Sequence, residues 1–72
     1  MSDEKEAEKS YSNREVVAKL RRLADALEAG RAFEIQVAGN RVRVPPGATV
    51  AFEYESSGEE EELEIELKWK RR

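Results

Sequence analysis

The chain changes its hydrophobic period once, and this change predicts the order of its elements. Between residues 16 and 27, apolar residues recur at spacings of three and four, the period of a helix with one buried face. Ser12 and Glu15 have the spacing of a capping box, and Gly30 supplies a residue suited to the left-handed end of a helix. The sequence therefore predicts an amphipathic helix over about residues 13–29.

After the helix the period changes to two, which is typical of half-buried strands. The alternation predicts four strands, near residues 32–37, 41–45, 48–56 and 61–70. Pro45 and Pro46 end the second strand, because proline has no N–H to donate to a strand ladder. The predicted fold class is therefore α+β, with one amphipathic helix packed on one face of a four-stranded antiparallel sheet.

The first predicted hairpin carries a turn signal, Gly39 followed by Asn40, of the kind found in two-residue loops. With these two residues as the loop, Val37 pairs with Val42, so that apolar side chains face each other on one side of the hairpin. The turn chemistry and the alternation agree on this register, which is the prediction for the first hairpin.

A second turn is predicted at Ser57 and Gly58, in the polar segment between the last two strands. This turn places Phe52 opposite Leu63. It also leaves residues 68–70 opposite the proline loop, without a regular neighbour. An unpaired strand edge at that position favours pairing with another strand.

The chain length of 72 residues fits one domain, residues 10–72, preceded by a polar segment at residues 1–9. We interpret this segment as a flexible tail, with a short extra N-terminal strand as the alternative. The segment lacks the apolar core of a secretory signal, and no apolar run in the chain has the length of a membrane span. The resulting expectation is a cytoplasmic protein with no membrane partner.

The chain contains neither cysteine nor histidine. It therefore has no disulfide and no thiolate metal site, and it lacks the commonest general base and metal ligand. Its four glycines are isolated rather than gathered in a phosphate-binding loop. The sequence predicts a protein that is not an enzyme, with no catalytic residues, no cofactor and no metal site.

The net charge of −3 conceals a strong segregation of charge along the chain. Acidic residues occupy Glu59–Glu62 and continue at Glu64 and Glu66, and basic residues follow at the end of the last strand. The carboxylates do not have the spacing of a calcium-binding loop. We interpret them as a solvated face that also protects the strand from aggregation.

Three segments of the chain carry a resemblance to a known family. They are the helix segment Ser12–Glu15 with Leu20–Gly30, the middle segment Arg41–Pro45, and the ending Leu63–Lys70. Together they resemble the amphi-Trp domain family, which is named after an amphipathic terminal strand carrying a tryptophan. The resemblance covers about residues 10–72. It implies a small prokaryotic module without an established activity, so no site residues are carried over.

The only tryptophan of the chain, Trp69, lies near the end of the last predicted strand. It shares the alternation of Leu63, Ile65 and Leu67, which favours a core or interface position over a platform on which a nucleic-acid base would stack. The candidate interaction surface combines this strand end with the basic residues of the second strand: Leu67, Lys68, Trp69, Lys70, Arg41 and Arg43.

The predicted function is a non-catalytic interaction or structural module that self-associates. We expect a homodimer through the C-terminal strand, whose acidic and then basic order suits antiparallel pairing of two copies; an unknown protein is the other candidate partner. The alternative is a weak nucleic-acid-binding protein that uses the chain's basic residues: Arg41, Arg43, Lys68, Lys70, Arg71 and Arg72. The net negative charge makes this alternative the less favoured one.

Overall fold

The computed structural model describes residues 6–71. Within them there is one helix, α1 (Asn13–Ala29), which begins and ends where the sequence predicts. Its first turn is closed by the capping box: the backbone N–H of Glu15 donates to Ser12 Oγ over 3.3 Å, and the N–H of Ser12 donates to Glu15 Oε1 over 3.2 Å. Gly30 ends the helix with φ 66°, and its N–H donates to the carbonyls of Ala26 and Leu27.

The first hairpin consists of β1 (Phe33–Val37) and β2 (Asn40–Val44), which pair antiparallel. Its loop is formed by Ala38 and Gly39, with φ values of 48° and 83°. Two consecutive residues with positive φ are the signature of a type I′ turn, whose twist matches that of the flanking strands.

The predicted register of the first hairpin is wrong by two residues. Val37 pairs with Asn40 rather than with Val42, and Val42 pairs with Ile35. Asn40 lies just outside the loop, where its side-chain amide donates to the carbonyl of Val37 over 3.1 Å. A shift of two residues leaves every side chain on its predicted face, which is why the alternation did not reveal the error.

The second hairpin consists of β3 (Thr49–Ser57) and β4 (Glu60–Lys68), and its predicted register is also wrong by two residues. The loop lies at Gly58 and Glu59, with φ 60° at the glycine, and Phe52 pairs with Ile65 instead of Leu63. Lys68 pairs with Thr49, so this residue does not face the proline loop as predicted.

The four strands form two separate two-stranded sheets, β1–β2 and β3–β4, and not the single four-stranded sheet that the sequence predicts. Pro45 and Pro46 explain the separation, because the ladder of β2 has no N–H to continue it beyond Val44. The chain turns there instead, with the N–H of Ala48 donating to the carbonyl of Pro45 over 3.2 Å. The strand order is thus two successive hairpins after the helix.

The segment before the helix has no strand at residues 6–10, so the alternative of an extra N-terminal strand finds no support there. Residues 1–5 of the predicted tail lie outside the described residues. Residues 6–8 share a shallow cleft with Glu62, Glu64 and Glu66 of β4.

The apolar core is small and lies between α1 and the first hairpin. Among residues 6–71, the buried apolar side chains are those of Ala26, Phe33 and Val44. Five half-buried residues pack around them: Leu23, Ile35, Val42, Ala48 and Leu67. Of the predicted helix stripe (Val16, Leu20, Leu23, Ala24 and Leu27), Leu23 packs against this core and the other four residues are exposed.

The molecule is open for its size because the second hairpin projects away from this core. The radius of gyration is 13.8 Å, against about 11 Å for a compact domain of this length. The solvent-accessible surface is 6794 Å², against about 4,500 Å² for a compact chain of this mass. The exposed β3–β4 hairpin contributes to this excess.

Candidate interaction surface

One face of the β3–β4 hairpin is apolar and uncovered; we call it the hairpin face. It consists of Val50, Phe52, Tyr54, Leu63 and Ile65. Its outer part, the tip, consists of Phe52, Tyr54 and Leu63, which are 71%, 64% and 70% exposed. Side chains of this size are the ones that proteins usually bury, so a contiguous group of them marks an interaction surface.

The tip projects because the two hairpins differ in length. Each strand of the second hairpin has nine residues, and each strand of the first has five. Four extra residues at about 3.3 Å each extend the second hairpin by about 13 Å. The sequence predicted Phe52 and Tyr54 as inward-facing; they are on the predicted face of the sheet, but nothing in the described chain covers that face.

A second apolar surface, the trough, lies where α1, the first hairpin and the inner end of β4 meet. It is an open groove with a volume of about 320 Å³. Apart from Lys19, its lining is apolar: Leu20, Leu23, Phe33, Ile35, Val37, Val42, Val44, Ile65, Leu67 and Trp69. The helix side of the trough is itself half uncovered, since Leu20 is 44% exposed.

Trp69 and Leu67 occupy the positions that the alternation of the last strand predicts. Leu67 packs against the small core, and Trp69 forms part of the wall of the trough while 41% of its surface remains exposed. Trp69 lies just beyond the last residue of β4. Trp69 is therefore a partly covered wall residue, and whether it belongs to an interface stays a prediction.

The basic residues of the candidate surface are not brought together as a group. Val42 and Val44 line the trough, so Arg41 and Arg43, which alternate with them on β2, lie on the opposite face of the first hairpin. Arg71 shares a shallow depression with Leu67, Lys68 and Trp69. Lys70 is exposed beyond β4, and Arg72 lies outside the described residues.

Lys68, at the end of β4, is held close to an acidic neighbour. Its Nζ lies 3.5 Å from Glu66 Oε1, and its carbonyl accepts a hydrogen bond from Thr49 Oγ1 over 3.4 Å. The lysine side chain is 75% exposed, so this ion pair contributes little stability. It does show that the acidic and basic halves of the strand meet at residues 66–68.

The second face of the β3–β4 hairpin is a dense array of carboxylates. Glu53 pairs with Glu64, and Glu55 pairs with Glu62. Repulsion, first of all from Glu66, raises the pKa of Glu53. Loss of hydration and then the charges of Glu62 and Glu55 raise the pKa of Glu64.

Three of these carboxylates, from Glu55, Glu62 and Glu64, have oxygen atoms within 4.8 Å of one another. All three side chains face solvent. Strand alternation alone produces such a cluster when glutamates occupy every second position, so the cluster does not by itself indicate a metal site.

Two contacts that fix the first hairpin on the helix were not anticipated from the sequence. The hydroxyl of Tyr11 donates to the carbonyl of Gln36 over 2.9 Å. Arg22 Nη1 donates to the carbonyl of Glu34 over 3.0 Å, and its guanidinium lies 5.3 Å from the centre of the Phe33 ring. Both side chains reach backbone carbonyls, which any residue supplies, so the sequence contains no signal for the partner.

The fold and its open apolar surfaces describe a small α+β module in which one helix is followed by two hairpins. The whole chain, residues 1–72, matches the model of the Amphi-Trp domain family, and the chain belongs to that family. No curated protein and no solved structure matches it. Within residues 6–71, the helix is neither long enough nor apolar enough to cross a membrane.

Proposed function

We propose that this chain is a non-catalytic interaction module that self-associates as a homodimer through its C-terminal strand, β4. The observation that carries the proposal is the uncovered hairpin face, in which Phe52 and Leu63 are each about seven-tenths exposed. Large apolar side chains exposed together, on a chain of which 40% of the residues are charged, support an interaction surface at this face.

The amount of surface supports association. The accessible surface exceeds that of a compact chain of equal mass by about 2,300 Å². A standard interface removes about 800 Å² from each partner. The excess is therefore large enough to accommodate a standard interface.

The order of charges along β4 supports an antiparallel arrangement of the two copies. Among residues 6–71, no strand pairs with the outer edge of β4, since the sheet consists of β3 and β4 alone. With a two-fold axis at Leu67, Glu66 of one copy faces Lys68 of the other, and Glu64 faces Lys70. A parallel arrangement in register sets each of these charges opposite itself.

Such pairing would also form a larger sheet, which differs from the four-stranded sheet of one chain that the sequence predicts. Two hairpins joined along their β4 edges make a four-stranded antiparallel sheet with the strand order β3–β4–β4–β3. The two-fold axis is perpendicular to this sheet, so the hairpin faces of both copies lie on the same side of it.

Sedimentation equilibrium on three chains tests the proposal. We expect the wild-type chain to be dimeric at micromolar concentration, and both charge-reversed variants, Lys68→Glu/Lys70→Glu and Glu64→Lys/Glu66→Lys, to be weaker dimers. An equimolar mixture of the two variants restores opposite charges across β4, so the mixed dimer is expected to be at least tenfold tighter than either homodimer. A wild-type chain that stays monomeric at high micromolar concentration contradicts the proposal.

The same wild-type sample tests the nucleic-acid alternative. The structure gives this alternative no specific support, because Arg41 and Arg43 lie on the face of the first hairpin that is turned away from Trp69. We expect no change in oligonucleotide anisotropy on titration at moderate salt. Tight binding that weakens steeply with salt would favour the alternative instead.

A further inference from the structure

We infer that the trough of each copy is filled by the tip of the other copy's hairpin, so that each chain completes the apolar core of its partner. The inference rests on the proposed dimer and adds which residues meet in it. Phe52, Tyr54 and Leu63 of one copy contact the wall formed by Leu20 and Trp69 of the other. The contact is reciprocal, as two-fold symmetry requires.

Each copy carries both the trough and the tip, and its own tip does not line its own trough. The trough is an open apolar groove of about 320 Å³, and the tip is an apolar surface of three large side chains. Within one copy the trough ends at the pair formed by Phe52 and Ile65, since Ile65 lines the trough and Phe52 lies opposite it on β3. Tyr54 and Leu63 form the next apolar pair outward along the hairpin, and neither of them lines the trough.

The antiparallel arrangement of β4 brings the two halves together. When two hairpins run in opposite directions along a shared β4 edge, the outer end of one passes the inner end of the other. The inner end is where the trough opens, beside Leu67 and Trp69. The apolar faces of both hairpins are on the same side of the joined sheet, so the tip arrives on the side where the trough lies.

Charge complementarity identifies a second copy as the occupant. Residues 51–65, which carry the tip, include seven glutamates and no basic residue. Residues 13–44, which form the helix side and the first-hairpin side of the trough, include seven basic and four acidic residues, for a net charge of +3. Lys19 lies in the lining of the trough itself. The acidic tip of one copy and the basic body of another therefore attract each other.

Disulfide trapping tests which side chains meet, since the chain has no cysteine of its own. A mixture of Leu63→Cys and Leu20→Cys chains is expected to form a mixed disulfide dimer under mild oxidation. The matched control is Glu62→Cys mixed with Leu20→Cys, because residue 62 is adjacent in sequence but lies on the opposite face of the hairpin. We expect at least fivefold less of the mixed disulfide from the control.

Three other outcomes overturn the inference, and each indicates a different arrangement of the chains. Leu63→Cys chains that link only to each other show tips meeting tips, with the dimer intact. A chain carrying both substitutions that forms a monomeric disulfide shows its own hairpin folding back over the trough. A wild-type chain without any dimer removes the proposed function together with the inference.

Trp69 provides a second measurement that does not depend on trapping, because it is the only tryptophan and lies in the wall of the trough. A tip seated against it excludes water, so its emission is expected to shift to shorter wavelength as the dimer forms in a concentration series. Phe52→Gln should reduce that shift. Glu53→Gln introduces the same residue on the other face of the hairpin and should retain the shift. Emission that stays constant while sedimentation shows dimer formation rejects the contact and leaves the dimer.

Discussion

At the scale of single residues, Ala38 has an unfavourable backbone conformation. Its φ of 48° is in the left-handed region, which costs a residue with a Cβ about 1–2 kcal/mol relative to right-handed backbone. Asparagine tolerates this region better than alanine, and the chain does contain an asparagine two positions later. That residue, Asn40, is instead used outside the loop, where its amide donates to the carbonyls of Val37 and Ala38.

Replacement of Ala38 therefore tests the turn. We expect Ala38→Asn to stabilise the chain by about 0.5–1 kcal/mol, because asparagine followed by glycine is the pair that type I′ turns favour. Ala38→Val should destabilise it, since a β-branched residue resists positive φ. In a chain of this size the difference is several degrees in the melting temperature, measured by circular dichroism. If the loop were Gly39 and Asn40, Ala38 would lie in a strand and the order of the two variants would be reversed.

At the scale of elements, the sequence predicts local features well and pairing less well. The bounds of α1 follow from contacts between residues three or four apart, such as Ser12 with Glu15, and these are present in the sequence itself. Strand faces follow from alternation in the same way. Register does not, because a two-residue slip preserves the alternation, and both hairpins differ from prediction by that slip.

The β3–β4 hairpin and the helix respond to acid in opposite directions. Because the folded-state pKa values of Glu53 and Glu64 are raised, their protonation stabilises the fold, and this contribution is lost as the pH rises through those raised values. The hydrogen bonds to Ser12 lower the pKa of Glu15, so its contribution is present above the unfolded pKa of 4.5 and is lost as the pH falls through the lowered folded value.

These directions predict a stability maximum in mild acid for the monomeric chain. At a concentration below the association range, the melting temperature should rise as the pH is lowered through the raised pKa values of Glu53 and Glu64, and then fall as the pH passes through the lowered pKa of Glu15. Glu53→Gln should flatten the first limb, and Glu15→Gln should flatten the second. A melting temperature that falls steadily from pH 7 in the wild-type chain contradicts the assignment for the hairpin.

At the scale of the whole molecule, the alternation indicates which side of each strand is apolar but not which element covers it. Phe52 and Tyr54 have the pattern of core residues, yet their cover is absent from the described chain. The candidate surface was predicted in part: Leu67 and Trp69 do meet the helix and first hairpin at the trough, whereas Arg41 and Arg43 do not. The separation of those arginines from Trp69 follows from the alternation along β2, which places them on the face opposite Val42 and Val44.

A core of three buried side chains predicts that folding is coupled to assembly. We expect the melting temperature of the wild-type chain to rise with protein concentration from low to high micromolar, because a dimer is stabilised by mass action. Phe52→Gln should melt at the same temperature across that range, and Glu53→Gln should retain the dependence. A wild-type melting temperature that is independent of concentration would show that the small core suffices for the isolated chain.

The two-residue loop of the second hairpin also constrains how its length can vary among related sequences. Opposed residue pairs along antiparallel strands alternate between hydrogen-bonded and non-hydrogen-bonded geometry, and a tight loop must close on one of these two kinds. Ser57 and Glu60, which flank the loop, therefore cannot be removed by themselves without changing the kind of pair that the loop closes. An insertion or deletion that preserves both the loop and the apolar side must therefore comprise four residues, two in each strand. The length of the hairpin therefore changes in steps of about 7 Å.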